Sequence, residues 1–239
     1  SINGSGKAPK AAEVGWFQEQ GLTAIDYQSP HAVVVPGCIA AWQRLSNDHG
    51  RKGLDACLQP AIKFAEEGYP VHSVIAKAWA HSADKLKSDA NSRQIFLPNG
   101  HAPKPGKMHH QPALAKSLRV VAEKGDIGFY QGEVAEQMVA YLQSRGGLHT
   151  LDDFASTNAD YVDPISIDYR GYEIVECPPN GQGMIALEIF NILKGFDLSP
   201  LQPIGVERLH IEAEATRLAF RDRAAFLADP SQADVPVEH

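Results

Sequence analysis

The 239-residue sequence is poor in cysteine, in clustered basic residues and in long apolar runs. Its three cysteines, Cys38, Cys57 and Cys177, are an odd number and contain no Cys-x-x-Cys pair. A disulfide framework is therefore not indicated in a chain of this length. We expect three free, buried thiols, because unpaired cysteine usually behaves as a small apolar core residue.

The absence of basic runs and of long apolar runs excludes two classes of partner. The net charge of −7 and the pI near 5.8 leave no positive field to replace the counterions of a nucleic acid, so non-specific nucleic-acid binding is excluded. No apolar stretch approaches the roughly 20 residues that a membrane span requires. The start, "SINGSGKAPK", does not have the pattern of a signal peptide. Any export signal would precede Ser1, so the compartment stays open.

The composition, with 44% hydrophobic and 21% charged residues, is that of a globular protein with a substantial core. Glycine and proline predict an irregular segment over residues 1–36 and a loop over residues 97–112. Apolar residues at helical spacing predict helices elsewhere. These helices cover residues 38–49, 54–67, 71–90, 113–125, 132–147, a short stretch from Leu151, 183–194 and 206–227.

Four details of these helices can be checked. Leu54, Leu58, Ile62 and Ala65 share one face of the second helix, and Pro60 is expected to break or kink it. Thr150 is the predicted N-cap of the short helix, with Asp153 in the capping-box position. In the last helix the residues predicted to point inward are Leu209, Ala213, Leu218 and Phe226.

One segment, "PISIDYRGYEIVECP", predicts a β-hairpin that turns at Arg170-Gly171. Ile165, Ile167 and Tyr169 alternate onto one face of its first strand. A two-stranded sheet is barely stable alone. The sequence therefore predicts a mainly helical chain with few strands, whose sheet is completed by a partner.

The residues that could carry chemistry give weak signals. His101, His109 and His110 lie in the proline-rich loop without the spacing of metal ligands, and we expect them to be solvated. The pairs Asp152-Asp153 and Glu66-Glu67 are expected to cap or to face solvent, because adjacent helical residues do not face one another. "NGSG" at residues 3–6 lacks the Lys-Ser/Thr ending of a phosphate-binding loop. No nucleophile with a local base is found.

Six segments of the sequence, taken in the order in which they occur, resemble segments of a known protein family. They are "VVVPGCIAAWQRL", "LQPAIKFAEEGYPV", "PALAKSLRVVAEKGDIGFYQGEVAEQMVAYLQSRGG", "LDDF", "DYRGYEIVECPPNGQGMIALEIFNILKGFDL" and "EATRLAFRDRAAFLADPSQADVPV". Together they resemble the large subunit of the gamma-glutamyltranspeptidases, which are N-terminal-nucleophile hydrolases. The resemblance implies an α+β fold, part of a four-layer αββα sandwich.

The resemblance also implies a mechanism that this chain alone cannot complete. Such a precursor cleaves itself, and the threonine that begins the small subunit attacks a γ-glutamyl amide, with its own α-amine available as base. The acyl group then passes to water or to an acceptor amine, as with glutathione-type substrates. Residues 1–239 are expected to be part of a large subunit, incomplete at both ends, with no catalytic residue of its own. The implied partners are the small subunit and an amide substrate, with no metal or organic cofactor.

The resemblance identifies four candidates for substrate binding, Ser5, Lys7, Asn180 and Gln182. Many members of the family bind the substrate α-carboxylate with an arginine shortly before an Ala-Pro pair. Here "INGSGKAP" places Ser5 or a glycine there, with Lys7 as the nearby cation. Lysine is a point charge and does not reproduce the bidentate fork of arginine. Three alternatives stay open. The first two are a γ-glutamyl substrate held by Lys7 and another amide substrate, as in acylase-like relatives. A degenerate, non-catalytic binding protein is a third.

The loop at residues 178–183, "PPNGQG", contains Asn180 and Gln182 and has two interpretations. It turns the chain between strand and helix, or it borders the substrate cleft with its backbone N–H groups as donors. The turn is favoured, because most acyl-site donors of the family come from the small subunit.

Overall fold

The computed structural model describes residues 1–237, which form two compact units. One unit is Gly6–Asn158, and the other combines Ser1–Ser5 with the chain from Ala159 onward. The first unit is mainly helical, and the second combines short strands with two long helices.

The helical unit contains nine of the helices found in the described residues. They are α1 (Val14–Glu19), α2 (Cys38–His49), α3 (Leu54–Glu67), α4 (Ser73–His81), α5 (Ala83–Lys87), α6 (Ala90–Phe96), α7 (Pro112–Tyr130), α8 (Glu133–Ser144) and α9 (Leu151–Ala155). Two short strands, β2 (Tyr69–Pro70) and β3 (Met108–His109), pair antiparallel in the same unit.

The second unit contains the remaining strands and two helices. They are β1 (Ile2–Asn3), β4 (Asp160–Tyr161), β5 (Ile165–Tyr169), β6 (Tyr172–Glu176), α10 (Gly183–Lys194) and α11 (Val206–Phe226). Among residues 1–237 each sheet has two strands, with β1 paired to β4 and β5 paired to β6.

Helix α3 packs along α7 and forms much of the core of the helical unit. Leu58, Ile62 and Ala65 are buried on one face, which confirms the predicted face. Pro60 lies on the exposed side, and the helix continues through it without the predicted break.

The segment predicted as one helix over residues 71–90 is three shorter helices, so that prediction was wrong. Helix α4 ends at Ser82, whose backbone leaves helical geometry at φ −89° and ψ 2°. Asp89 then caps α6 by accepting a hydrogen bond of 2.7 Å from the Ser92 amide. Serine and aspartate favour such boundaries because their side chains bond to nearby backbone groups.

Two other boundaries differ from the sequence prediction. Residues 1–36 are not wholly irregular, because Trp16 and Phe17 of α1 pack their rings against His31, with centroids 5.1 and 5.6 Å apart. Helix α7 does not end at Gly125. That glycine has φ 66° and ψ −154°, which kinks the helix, and the chain then returns to helical geometry as far as Tyr130.

The β5–β6 hairpin is confirmed, with Tyr169 opposite Tyr172. Arg170 and Gly171 both have positive φ, 55° and 84°, as a two-residue type I′ turn requires. Helix α10 packs on β5, and the rings of Tyr169 and Phe190 lie 4.9 Å apart.

The inward face of α11 differs from the prediction. Leu209 and Phe226 are about half exposed, Ala213 is exposed and Leu218 is only partly buried. Ala215 and Ala219 are buried instead, since α11 is apolar on two sides and its small residues allow close packing. Periodicity alone does not decide between two apolar sides.

A buried phenol joins α7 to the beginning of α2. The Tyr130 hydroxyl donates to the Pro36 carbonyl at 2.6 Å and accepts from the Ala40 amide at 3.1 Å. Burial raises the pKa of Tyr130 to about 12. The phenol therefore stays neutral and satisfies one of the amides that begin α2, which no side chain at the N-cap satisfies.

We predict that Tyr130→Phe destabilises the helical unit. The substitution leaves a buried amide and a carbonyl without their partner, which costs about 1–3 kcal/mol. The free energy of unfolding, measured by urea denaturation of the complete gene product, checks this value. Tyr27→Phe is the matched control, because Tyr27 is exposed in the same unit. Equal stability of the two variants would contradict this role for Tyr130.

Candidate functional site

The first residues of the chain are held as a strand against the segment that leads into the hairpin. Ile2 and Asn3 pair antiparallel with Tyr161 and Asp160. The Val162 amide donates to the Ser1 carbonyl at 3.0 Å and extends this pairing. This arrangement positions the predicted site residue Ser5 at the end of a short, paired strand.

The side chain of Asn180 accepts hydrogen bonds from two side chains of this first segment. Its Oδ1 accepts from Asn3 Nδ2 at 3.2 Å and from Ser5 Oγ at 3.4 Å. The Ser5 amide donates in turn to Asn3 Oδ1 at 2.9 Å. The structure thus brings together two of the four predicted residues, Ser5 and Asn180, although they are 175 positions apart.

Gln182 is turned toward α11 and not toward Ser5. Its Oε1 accepts a hydrogen bond of 2.7 Å from Arg223 Nε. The next residue, Gly183, begins α10 where a Cβ atom would lie 2.3 Å from the Cys177 carbonyl oxygen. Glycine is required there by this close approach, which supports the predicted turn between strand and helix.

Lys7 has an exposed side chain on a tightly held backbone. The Val35 amide donates to the Lys7 carbonyl at 3.0 Å. A Cβ on the preceding Gly6 would lie 1.6 Å from the Val35 carbonyl oxygen, so only glycine fits. The backbone of Lys7 is therefore fixed while its ammonium group is free to reach solvent.

A buried carboxylate anchors the chain three residues further on. Asp153 Oδ1 accepts from the Lys10 amide at 3.0 Å. Its Oδ2 accepts from the Thr150 amide and hydroxyl, at 2.9 and 2.7 Å. Burial alone would raise the pKa of Asp153, but these hydrogen bonds outweigh it and hold the pKa below its usual value. The predicted capping box is confirmed, and it has a second role in holding the residues after Lys7.

Residues 1–5 and the loop at residues 178–183, which belong to the same unit, together offer amide groups and a hydroxyl. Such groups donate hydrogen bonds to a carbonyl or carboxylate. None of the four predicted residues is a nucleophile with an adjacent base. This cluster can donate hydrogen bonds to a polar group of a ligand.

A second polar cluster was missed by sequence reasoning. The carboxyl groups of Glu188 on α10 and Asp222 on α11 lie close enough to shift each other's pKa. Burial and then Asp222 raise the pKa of Glu188, whereas the hydrogen bond from Arg221 lowers the pKa of Asp222. Glu188 is therefore the member that keeps the proton. No local pattern could reveal a pair that only the packing of two helices creates.

These carboxyl groups line a groove of about 510 Å³ with mainly apolar walls, formed by β5, α10, α11 and the last described residues. Within residues 1–237, no three His, Cys, Asp or Glu side chains are arranged to hold a metal ion. No helix in that part of the chain is long and apolar enough to cross a membrane.

The sequence model of the gamma-glutamyltranspeptidase family matches residues 1–239. The chain belongs to the gamma-glutamyltranspeptidase family. The predicted resemblance is confirmed over the whole sequence. Members of this family whose names say "proenzyme" are among its relatives.

A glutathione hydrolase-like proenzyme of Bacillus subtilis is 36% identical over 237 residues, which are 99% of this chain and 45% of that protein. The structure of Helicobacter pylori gamma-glutamyltranspeptidase superposes with a TM-score of 0.91 at 31% identity, covering 99% of this chain and 69% of that one. A cephalosporin acylase from Bacillus halodurans gives a TM-score of 0.91 at 39% identity, covering 99% and 45%. The chain spans under half the length of the curated relatives it matches.

The fold prediction is confirmed by these superpositions. The chain is α+β, mostly helical with few strands, and has the fold of solved gamma-glutamyltranspeptidases. Several of these relatives are named as proenzymes.

The prediction that all three loop histidines are solvated was wrong for His109, which is only 3% exposed. Its ring packs among Tyr69, Trp79 and Phe96, with centroids 5.8, 4.8 and 6.2 Å away. Its Nε2 and the Trp79 Nε1 are buried, and neither has a hydrogen-bond partner in residues 1–237. Pairing of β2 with β3 carries His109 inward, which proline and glycine content could not reveal.

The remaining predictions on titratable and thiol groups have mixed outcomes. His101 and His110 are exposed, as expected. Glu66 forms a surface ion pair with Arg119, so it is not simply solvated. Cys38, Cys57 and Cys177 are free, but all three are exposed, and the prediction that they are buried was wrong.

We predict that His109 makes the protein less stable in acid. Burial, and to a smaller extent His110, lowers the pKa of His109. The unfolded chain therefore takes up a proton first as the pH falls below the ordinary histidine pKa near 6.5, and stability decreases with it. His109→Phe removes this loss while keeping an aromatic ring in the cluster.

The free energy of unfolding between pH 8 and pH 5 measures the effect. The curves of the wild type and His109→Phe should run parallel above pH 7 and separate below pH 6.5, with the wild type falling more steeply. His149, which is also buried with a lowered pKa, is present in both proteins and does not alter the difference. Parallel curves over the whole range would contradict the prediction.

Proposed function

We propose that this chain is the large-subunit part of a self-processing amide hydrolase or acyltransferase of the gamma-glutamyltranspeptidase type. The observation that carries the proposal is the family match over residues 1–239, together with relatives named as glutathione hydrolase proenzymes. The nucleophile is a threonine that begins the small subunit, and its α-amine acts as the base. The acyl group is transferred to water or to an acceptor amine.

The contribution of this chain is to hold the substrate. Ser5 and Asn180, linked at 3.4 Å, offer a hydroxyl and an amide to the polar end of the acyl group. Lys7 supplies a positive charge that attracts a carboxylate. Gln182 contributes indirectly, because its bond to Arg223 fixes the beginning of α10.

The substrate is a γ-glutamyl compound in the leading proposal. A second candidate, another amide of the type that acylases cleave, is supported by two observations. Ser5 stands where many family members have an arginine, so the bidentate grip on a carboxylate is missing. The similarity to the Bacillus halodurans cephalosporin acylase, at 39% identity, favours the same interpretation.

Three p-nitroanilides distinguish the two candidates in the complete, processed gene product. The γ-glutamyl compound carries both the α-amino and the α-carboxylate group, the glutaryl compound keeps only the carboxylate, and the pentanoyl compound has neither. A γ-glutamyl enzyme hydrolyses the first best, whereas an acylase prefers one of the others. No hydrolysis of any of them by a processed protein would contradict the proposed function.

We predict that Lys7→Gln raises KM for a carboxylate-bearing substrate about three- to tenfold, which is roughly 0.7–1.4 kcal/mol of binding energy. The turnover number kcat should change little, since Lys7 binds ground state and transition state alike. Lys104→Gln is the control, because it makes the same change of charge at an exposed lysine in the proline-rich loop. An equal rise in KM for the pentanoyl compound would show that Lys7 does not bind the carboxylate.

A further inference from the structure

A groove of about 340 Å³ lies between the end of α6, the proline-rich loop and the beginning of α7, wholly within the helical unit. Its size is at the lower end of the range for small-molecule sites. Three large apolar side chains line it, Ile95, Met108 and Leu114, which are 39%, 51% and 44% exposed. An apolar group of a ligand can therefore be buried against them. We call this space the α7 groove.

Two backbone amides at the beginning of α7 have no partner in the part of the chain that the structure describes. Gln111 is the N-cap residue, and no side chain caps the helix. Pro112, in the first helical position, has no N–H group. The amides of Ala113 and Leu114, two residues that line the groove, form no hydrogen bond within residues 1–237. Since a helix dipole places partial positive charge at this end, the two free amides favour an anion.

The side chain of His109 supplies a second, independent indication of a ligand. It also lines the groove, although it is only 3% exposed. Its Nε2 is enclosed without a hydrogen-bond partner, and its Nδ1 forms no hydrogen bond to any described residue either. Buried polar groups in native proteins usually have a partner. Because the rings of Tyr69, Trp79 and Phe96 pack around this imidazole, the groove is the side from which a partner can reach it.

The charge of the groove selects the kind of anion. Among the described residues that line it, none is lysine, arginine, aspartate or glutamate. A phosphate group carries up to two negative charges and three acceptor oxygens, which is more than two amides and one imidazole can satisfy. A carboxylate carries one charge and two oxygens. Two amides and one imidazole N–H therefore match a carboxylate better than a phosphate.

We propose that the α7 groove binds the carboxylate of a small organic acid whose body is a short apolar chain. The carboxylate accepts hydrogen bonds from the Ala113 and Leu114 amides and from His109. The chain of the acid lies against Ile95 and Met108. This inference goes beyond the proposed function, because it uses none of the residues to which substrate binding or acyl transfer is assigned above.

Isothermal titration calorimetry of the complete gene product with hexanoate tests the proposal. Hexanoate should bind saturably and at least about tenfold more tightly than acetate, because its longer chain is buried against the apolar wall. Hexanamide has the same chain without the charge and should bind at least about tenfold more weakly than hexanoate, since it gains less from the helix dipole. Equal affinity for hexanamide, or no saturable binding of hexanoate, would overturn the proposal.

The variant Gln111→Asp separates this groove from any other place that binds hexanoate. Aspartate is among the best N-cap residues, so its carboxylate should occupy the Ala113 or Leu114 amide that hexanoate needs. The affinity for hexanoate should fall at least about tenfold, without loss of thermal stability. Gln18→Asp is the control, because it makes the same change at an exposed glutamine of the same unit, and its affinity should stay within twofold of the wild type. Unchanged affinity in Gln111→Asp, or an equal loss in both variants, would contradict the assignment.

A second variant, His109→Phe, tests the role of the imidazole without altering the beginning of α7. The substitution keeps an aromatic ring among Tyr69, Trp79 and Phe96 and removes the ring nitrogens. The affinity for hexanoate should fall about three- to tenfold, because one hydrogen bond to the carboxylate is lost. Hexanoate binding of wild-type strength in this variant would show that His109 does not contact the carboxylate and would overturn the proposed site.

Competition with inorganic phosphate distinguishes the two kinds of anion. Phosphate should displace hexanoate only at free concentrations at least about tenfold above those at which hexanoate itself binds, because it lacks the apolar chain and carries more charge than the groove can neutralise. Displacement by phosphate at equal or lower concentrations would indicate a phosphate site and would overturn the assignment of a carboxylate.

Discussion

The β5–β6 hairpin carries backbone N–H and C=O groups along two outer edges, and within the described residues no strand pairs with either edge. Backbone groups of this kind need partners wherever they are removed from water. Helix α10 covers one side of the hairpin and packs against α11, with Ala215 of α11 in the same buried cluster as Leu193 of α10. The second unit is thus organised around a sheet that is too small to be stable alone. Relatives named as proenzymes are more than twice the length of this chain.

The first ten residues are held by separate contacts in the two units. Asp153 holds the Lys10 amide, and Gly6 lies against the Val35 carbonyl with no room for a side chain. These contacts fix the backbone on either side of Lys7 and leave its charge exposed. The hydrogen bonds of Asn180 to Asn3 and Ser5 fix the other end of the segment. Within the second unit, side-chain hydrogen bonds thus hold Asn3 and Ser5 beside Asn180.

The sequence predicted those parts of the fold that depend on local signals. The hairpin turn at Arg170-Gly171, the Thr150 capping box and the bounds of α2, α3 and α10 follow from residues next to one another in the chain. The errors arose where distant residues decide the outcome. Helix α1 is stabilised by the packing of its two aromatic rings against His31. His109 is buried by the pairing of β2 with β3, and α11 turns only one of its two apolar sides toward the core. The contact between Ser5 and Asn180 and the Glu188–Asp222 pair belong to the same class, because each joins segments that no local pattern connects.

The central claim is that this chain works as one of two products of a precursor that cuts itself. Intact mass and N-terminal sequencing of every polypeptide in the purified complete gene product test it most directly. The account predicts two chains, of which the smaller begins with threonine, because the α-amine of that residue is needed as the base. A single uncleaved chain that retains the fold would contradict it and would indicate a family member that binds without catalysis.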